Sequence, residues 1–116
     1  VIGNVFISLK DFWPLNTTLY VREFRACGPY YAFHFLQTLD LPTLNSGSAV
    51  PSLNRNFVYS QPASIPPNAL KTVFENQAEK LFLLIKQNEQ QAQSLAEIRD
   101  ALLPKLLSGE LSVEAV

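Results

Sequence analysis

Methionine is absent from all 116 residues, the first position included. The sequence therefore reads as a fragment or a processed product. Cysteine and histidine occur once each, as Cys27 and His34. A single cysteine excludes an intramolecular disulfide framework and points to a reduced, intracellular setting. One cysteine with one histidine cannot build a zinc site. A catalytic thiol needs an activating base, and His34 is the one candidate, so Cys27 reads as inert and His34 as structural. Asp11, Asp40 and Asp100 lack metal-ligand spacing. No Walker loop and no Gly-x-Gly-x-x-Gly run occurs. Charge is also scarce: 16% of residues, with a net charge of −1. No strong whole-chain field therefore favours nucleic acid or an anionic membrane. No apolar run is long enough to span a membrane. Residues 1–9 lack the basic start and cleavage site of a signal peptide. Ile65-Pro66-Pro67-Asn68 is not the acidic-or-Asn, Pro-Pro, aromatic tetrad of amino-methyltransferases. These absences describe a chain with no catalytic machinery of its own.

What is present is globular in composition, with 47% hydrophobic residues in one domain's worth of chain. It divides into two halves near Pro67. Residues 1–67 hold 11 of the 13 aromatics and seven of the eight prolines, with a net charge of +1. Residues 68–116 are rich in Leu, Gln, Glu, Lys and Ala and carry −2. The expected fold class is α+β: a partial mixed-strand domain over 1–67, then a long coiled-coil-type helix over 68–116 with a short kinked continuation. Val5–Leu9, Thr17–Phe24 and Phe57–Tyr59 have the β-branched and aromatic character of short strands. Tyr31, Phe35 and Leu39 are spaced by four, which predicts a helix starting after Gly28-Pro29. Asn45–Leu53 is a loop by its Ser, Gly and Pro content.

From Leu70 onward the pattern is helical. Phe74, Ala78, Leu81, Ile85, Asn88, Ala92, Leu95, Ile98 and Leu102 follow at steps of three and four. This narrow seam approximates the 3.5-residue repeat of coiled coils. A helix from Asn68 to Leu103 would be roughly 50 Å long and cannot cover its own seam. Phe74, Ala78, Leu81, Ile85, Asn88, Leu95 and Leu102 are accordingly the candidates for helix pairing or partner docking. Asn88 costs stability in such a seam but fixes register. Pro104 should kink or interrupt the helix, and Gly109 should stop it.

A polar cluster forms the other candidate site. Ser46, Ser48, Ser52, Asn54 and Arg55 offer the hydroxyls, amide and guanidinium that phosphate oxygens and base edges accept. Arg22 and Arg25, near a strand end, add possible phosphate contacts. The plainer reading is a solvated loop whose Ser and Asn groups bond to their own backbone, with the arginines as surface charges.

The stretch Arg99-Asp-Ala-Leu-Leu-Pro-Lys-Leu-Leu-Ser-Gly-Glu110 resembles the end of the specificity subunit of type I restriction-modification enzymes. Three upstream segments agree, in order. Trp13-Pro-Leu-Asn-Thr-Thr-Leu-Tyr20 resembles a strand segment of a target recognition domain. Gly47-Ser-Ala-Val-Pro-Ser-Leu-Asn-Arg55 resembles the loop before its last strand. Ser64-Ile-Pro-Pro67 resembles the junction into the spacer helix. The Glu-Gln that often follows the double proline in that family is replaced here by Asn68-Ala-Leu-Lys71. The start of a recognition domain is missing. The resemblance implies the C-terminal part of a DNA target recognition domain followed by a spacer helix. It implies a non-catalytic role in choosing the double-stranded DNA sequence for restriction and DNA methylation. Recognition domains of the family read the major groove, and paired helices set half-site spacing and dock the modification (methyltransferase) subunits. S-adenosylmethionine, ATP and Mg would belong to the modification and restriction subunits, with no cofactor in this chain. The setting implied is the prokaryotic cytoplasm, with no membrane partner.

Two other readings remain open. One is a coiled-coil oligomerisation module without a DNA-reading role. The other is the recognition end of a fused restriction-methylation enzyme. The seam predicts that two copies pair as a homodimer when no other helix covers it. Leu81→Asp or Ile85→Asp should then yield monomers in light scattering, with reduced helicity. A dimer that survives both changes would refute the seam.

Overall fold

The computed structural model describes residues 2–47 and 49–114. Its elements are α1 (Pro29–Thr38), a 3-10 turn (Leu41–Leu44), α2 (Arg55–Tyr59) and α3 (Asn68–Leu107). Among the described residues there is no strand, only an isolated antiparallel bridge between Asn45 and Leu53. The expected α+β class with a mixed-strand domain is therefore corrected: the described chain is helical, joined by turns and extended segments.

The reason lies in what a strand requires. β-branched and aromatic residues fit a pleated, half-buried surface, but the strand exists only with a neighbour to complete its ladder. Residues 5–8 and 18–24 have no such neighbour among the described residues. Trp13 is 90% exposed, and every residue of Thr17–Phe24 is exposed, so no face is buried to fix a register. Phe57–Tyr59 fails as a strand for a local reason. The Asn54 side chain accepts the Asn56 N–H at 2.9 Å, which caps a helix and commits the next residues to it.

The chain forms two compact units, Val1–Ala78 and Glu79–Val116. The compositional boundary at Pro67 lies inside the first. In that unit, α1 starts where the sequence puts it, with Gly28 as N-cap and Pro29 at the first helical position. Proline there forfeits an N–H that would be orphaned anyway, but glycine offers no side chain to cap the amides that follow. The first turn of α1 contains no acidic residue either. The acceptor comes from 44 residues away. The Glu75 carboxylate accepts the Tyr31 N–H at 2.7 Å and the Tyr30 N–H at 3.2 Å. An anion at a helix N-terminus satisfies orphan amides and meets the positive end of the helix dipole. The Lys71 ammonium donates to the Ala26 carbonyl at 2.7 Å, one turn earlier on α3.

Aromatic packing completes the joint. Phe74 meets the Tyr31 ring edge-on at 5.8 Å and the His34 ring at 5.9 Å. Phe35 stacks parallel to Tyr31, as the spacing of four requires. The Tyr31 hydroxyl donates to the Ser64 carbonyl. Leu41 and Ala78 are the buried apolar side chains among the described residues. α2 packs on the 3-10 turn that carries Leu41.

The second unit is the rest of α3 and the residues after it. Pro104 lies within α3, which continues to Leu107, so the expected interruption does not occur. Proline removes one ladder bond, and within a turn of the helix end that loss is tolerated. Gly109 then stops the helix with φ +78°, and its N–H bonds the Leu106 carbonyl at 3.3 Å. Lys105 in the last turn faces the negative end of the dipole. Among the described residues no helix is long and apolar enough to cross a membrane.

Because Phe74 is committed to α1, Phe74→Ala should destabilise the chain itself by ~1–3 kcal/mol, from lost apolar burial and ring contacts. Thermal unfolding followed by far-UV circular dichroism reads this, and an unchanged Tm would show that the ring contacts carry no stability.

Candidate nucleic-acid interface

On either side of Ser48, the loop expected to face DNA is held by a side-chain amide. The Asn45 carboxamide oxygen accepts from Gly47 N–H at 3.0 Å and from Ser52 N–H at 2.9 Å. Ser46 N–H donates to the Ser52 carbonyl at 2.8 Å, and the Ser46 hydroxyl donates to the same oxygen at 3.1 Å. With the Asn45–Leu53 bridge, these bonds draw the loop closed. Gly47 is required by crowding, since a Cβ there would fall 1.9 Å from the Val50 carbonyl oxygen. Asn45 thus does for this loop what an Asx-turn residue does, pairing the backbone where no sheet is present.

The candidate residues divide accordingly. Ser46 and Asn54 spend their side-chain oxygens on the local backbone. Ser52 contributes its backbone to the closure and remains exposed. Arg55 is the first residue of α2 and is exposed, positioned by the Asn54 cap and by the packing of α2 on the 3-10 turn. Ser48 lies outside the described residues. The local-backbone reading of the polar loop is thus realised for Ser46 and Asn54, while Arg55 stays available to a ligand.

Arg22 and Arg25 lie on a separate, exposed segment. Arg25 pairs with Glu23 at 2.7 Å, with both side chains largely in solvent. Such a pair contributes little to stability and is easily exchanged for a phosphate. Among the described residues neither arginine bonds to the Asn45–Arg55 loop, so the structure gives two basic positions rather than one joined cluster.

The pairing seam is also split. Phe74 and Ala78 belong to the first unit, with Phe74 against α1 and Ala78 buried. Leu81, Ile85, Asn88, Leu95 and Leu102 belong to the second and are exposed, Leu81 at 61%. Beyond the buried Ala78, the seam is exposed from Leu81 onward.

Glu75 and Lys71 are absent from the expected set, although they hold α1 and the turn before it. One signal pointed to the need for an acceptor, without saying which residue supplies it. A helix that opens Gly-Pro with no acidic first turn must find an acceptor elsewhere for its amides. Gly28 shows how close that acceptor comes: a Cβ there would sit 2.3 Å from the Glu75 carboxyl carbon. Cys27 lies in the same cleft as Lys71 and Glu75. Burial pushes its thiol above the ordinary value, the Glu75 carboxylate adds to this, and the Lys71 ammonium opposes it. His34 makes edge contacts with Phe33 and Phe74. Among the described residues no His, Cys, Asp and Glu side chains gather as metal ligands.

Comparison with known proteins bears on this arrangement. The chain is 40% identical over 68 residues to the specificity subunit of the type I restriction enzyme MjaIX from Methanocaldococcus jannaschii. The chain resembles a type I restriction enzyme specificity subunit. The match covers 59% of this chain and 16% of that relative, so the chain spans a small part of the relative's length. No family model and no solved structure matches the chain.

The charge arrangement around Cys27 generates a prediction. Alkylation by iodoacetamide should show a pH midpoint above that of a free thiol, and Glu75→Gln should lower it by removing the nearby negative charge. A wild-type midpoint at or below the free-thiol value would contradict the partial burial of Cys27, and no change in Glu75→Gln would contradict its placement near Glu75.

Proposed function

We propose that the chain serves sequence-specific DNA recognition as a specificity component of a type I restriction-modification system. The Asn45–Arg55 loop, with Arg22 and Arg25, contacts double-stranded DNA, and α3 acts as spacer and docking site for modification subunits. The observation that carries this reading is the 40% identity to a type I specificity subunit over 68 residues. Two features of the molecule support it. A closed loop leads directly into α2, whose first residue is an exposed arginine. The stripe Leu81, Ile85, Leu95 and Leu102 is exposed, which suits a helix built to meet another.

The chain contributes no chemistry in this reading. Methyl transfer from S-adenosylmethionine and ATP-driven, Mg-dependent cleavage belong to the modification and restriction subunits, in a prokaryotic cytoplasm. With a net charge of −1, the chain alone binds DNA weakly, and affinity comes from the assembly. The exposed stripe equally favours a second reading, in which α3 is a plain oligomerisation device and the loop reads nothing.

Arg55 separates the two readings. In a complex with a cognate modification subunit, Arg55→Ala should weaken specific DNA binding by ~1–3 kcal/mol if the guanidinium reads a guanine. Fluorescence anisotropy with duplexes recovered from a random-sequence pool measures it. Unchanged affinity and sequence preference would remove Arg55 from the interface, and no preference in the wild-type complex would favour the oligomerisation device.

A further inference from the structure

We propose that Glu75 is a positioning residue for DNA recognition: its carboxylate seats the segment from Ala26 to Leu44 on the first turns of α3. This inference rests on the recognition role proposed above, and it concerns residues that make no contact with DNA in that role.

The contacts converge on one place. Both Glu75 oxygens are used, Oε1 on the Tyr31 amide at 2.7 Å and Oε2 on the Tyr30 amide at 3.2 Å. Lys71, four residues earlier on α3, holds the Ala26 carbonyl at 2.7 Å. Phe74, beside Glu75 in sequence, meets Tyr31 and His34. Three side chains of α3 thus grip the residues on both sides of Gly28, and a methyl group at Gly28 would overlap the carboxylate. The segment so gripped runs through α1 into the 3-10 turn, on which α2 and Arg55 are seated.

The consequence follows from how few apolar side chains are buried among the described residues. The buried apolar side chains among the described residues are Leu41 and Ala78. With so small a core, a charge-assisted bidentate contact is a large share of what fixes α1, because such bonds are roughly twice as strong as neutral ones. Aromatic contacts alone permit sliding, whereas two amides on two oxygens define a single seat. A reader that is present but loosely seated binds DNA with its charges and loses its power to choose between sequences. Glu75 therefore acts on selectivity more than on bulk affinity.

The test has two parts. On the 116-residue chain, hydrogen exchange of the Tyr30 and Tyr31 amides should accelerate at least ~10-fold in Glu75→Ala, with an intermediate effect in Glu75→Gln, which keeps one acceptor oxygen. Gly28→Ala, which expels the carboxylate, should reproduce the loss and should add little in a Glu75→Ala background. Unchanged exchange in all variants overturns the seat. In the complex with the modification subunit, the same variants should lower the ratio of binding to a pool-selected duplex over a scrambled duplex several-fold, with docking to that subunit retained. Faster exchange with an unchanged ratio overturns the role in selectivity and leaves Glu75 a stabilising contact only. No preference in the wild-type complex overturns the recognition role itself, and this inference with it, whatever the amides do.

Discussion

Two backbone amides at the start of α1 have no acceptor of their own, and the Glu75 carboxylate supplies it. The first unit depends on this constraint. Gly28 admits the carboxylate, and Pro29 sets the helix without needing its own amide. Lys71 holds the turn before, and Phe74 closes against Tyr31 and His34. An unpaired buried amide costs as much as a lost hydrogen bond, so the helix and its remote cap are two halves of one arrangement. The same logic orders the polar loop. There Asn45 pairs backbone groups that a sheet would otherwise have paired.

What the sequence revealed, and what it hid, follows from this. α1 was legible because Gly28-Pro29 marks a start and Tyr31 and Phe35 repeat at helical spacing. α3 was legible because its apolar residues keep a three-and-four rhythm past Leu102. The strands were misread. Val5–Leu9 and Thr17–Phe24 have the side chains of strands, but a ladder is a relation between two segments, and composition reports only one of them. Phe57–Tyr59 was misread because the Asn54 cap outweighs three residues of β preference. Pro104 does not end α3, since a proline within a turn of the helix end removes a single bond.

The candidate site was legible in part. Polar residues between Asn45 and Arg55 were visible as a cluster, and the structure sorts them. Ser46 and Asn54 turn inward to the backbone, and Arg55 faces out at the head of α2. Along the seam, Phe74 packs on α1 and Ala78 is buried in the first unit, while Leu81, Ile85, Leu95 and Leu102 in the second are exposed. Periodicity identifies the apolar face of a helix without saying what covers each part of it. Glu75 escaped notice because its role depends on a contact 44 residues distant, which no local pattern encodes.

The exposed stripe and the resemblance to a type I specificity subunit meet in the proposal that this chain works as a component that docks, with α3 as its attachment. Light scattering on the chain, alone and mixed with a cognate type I modification subunit, tests that claim most directly. The account predicts a stable mixed complex whose mass is the sum of its components. Self-association of the chain with no mixed complex would contradict it.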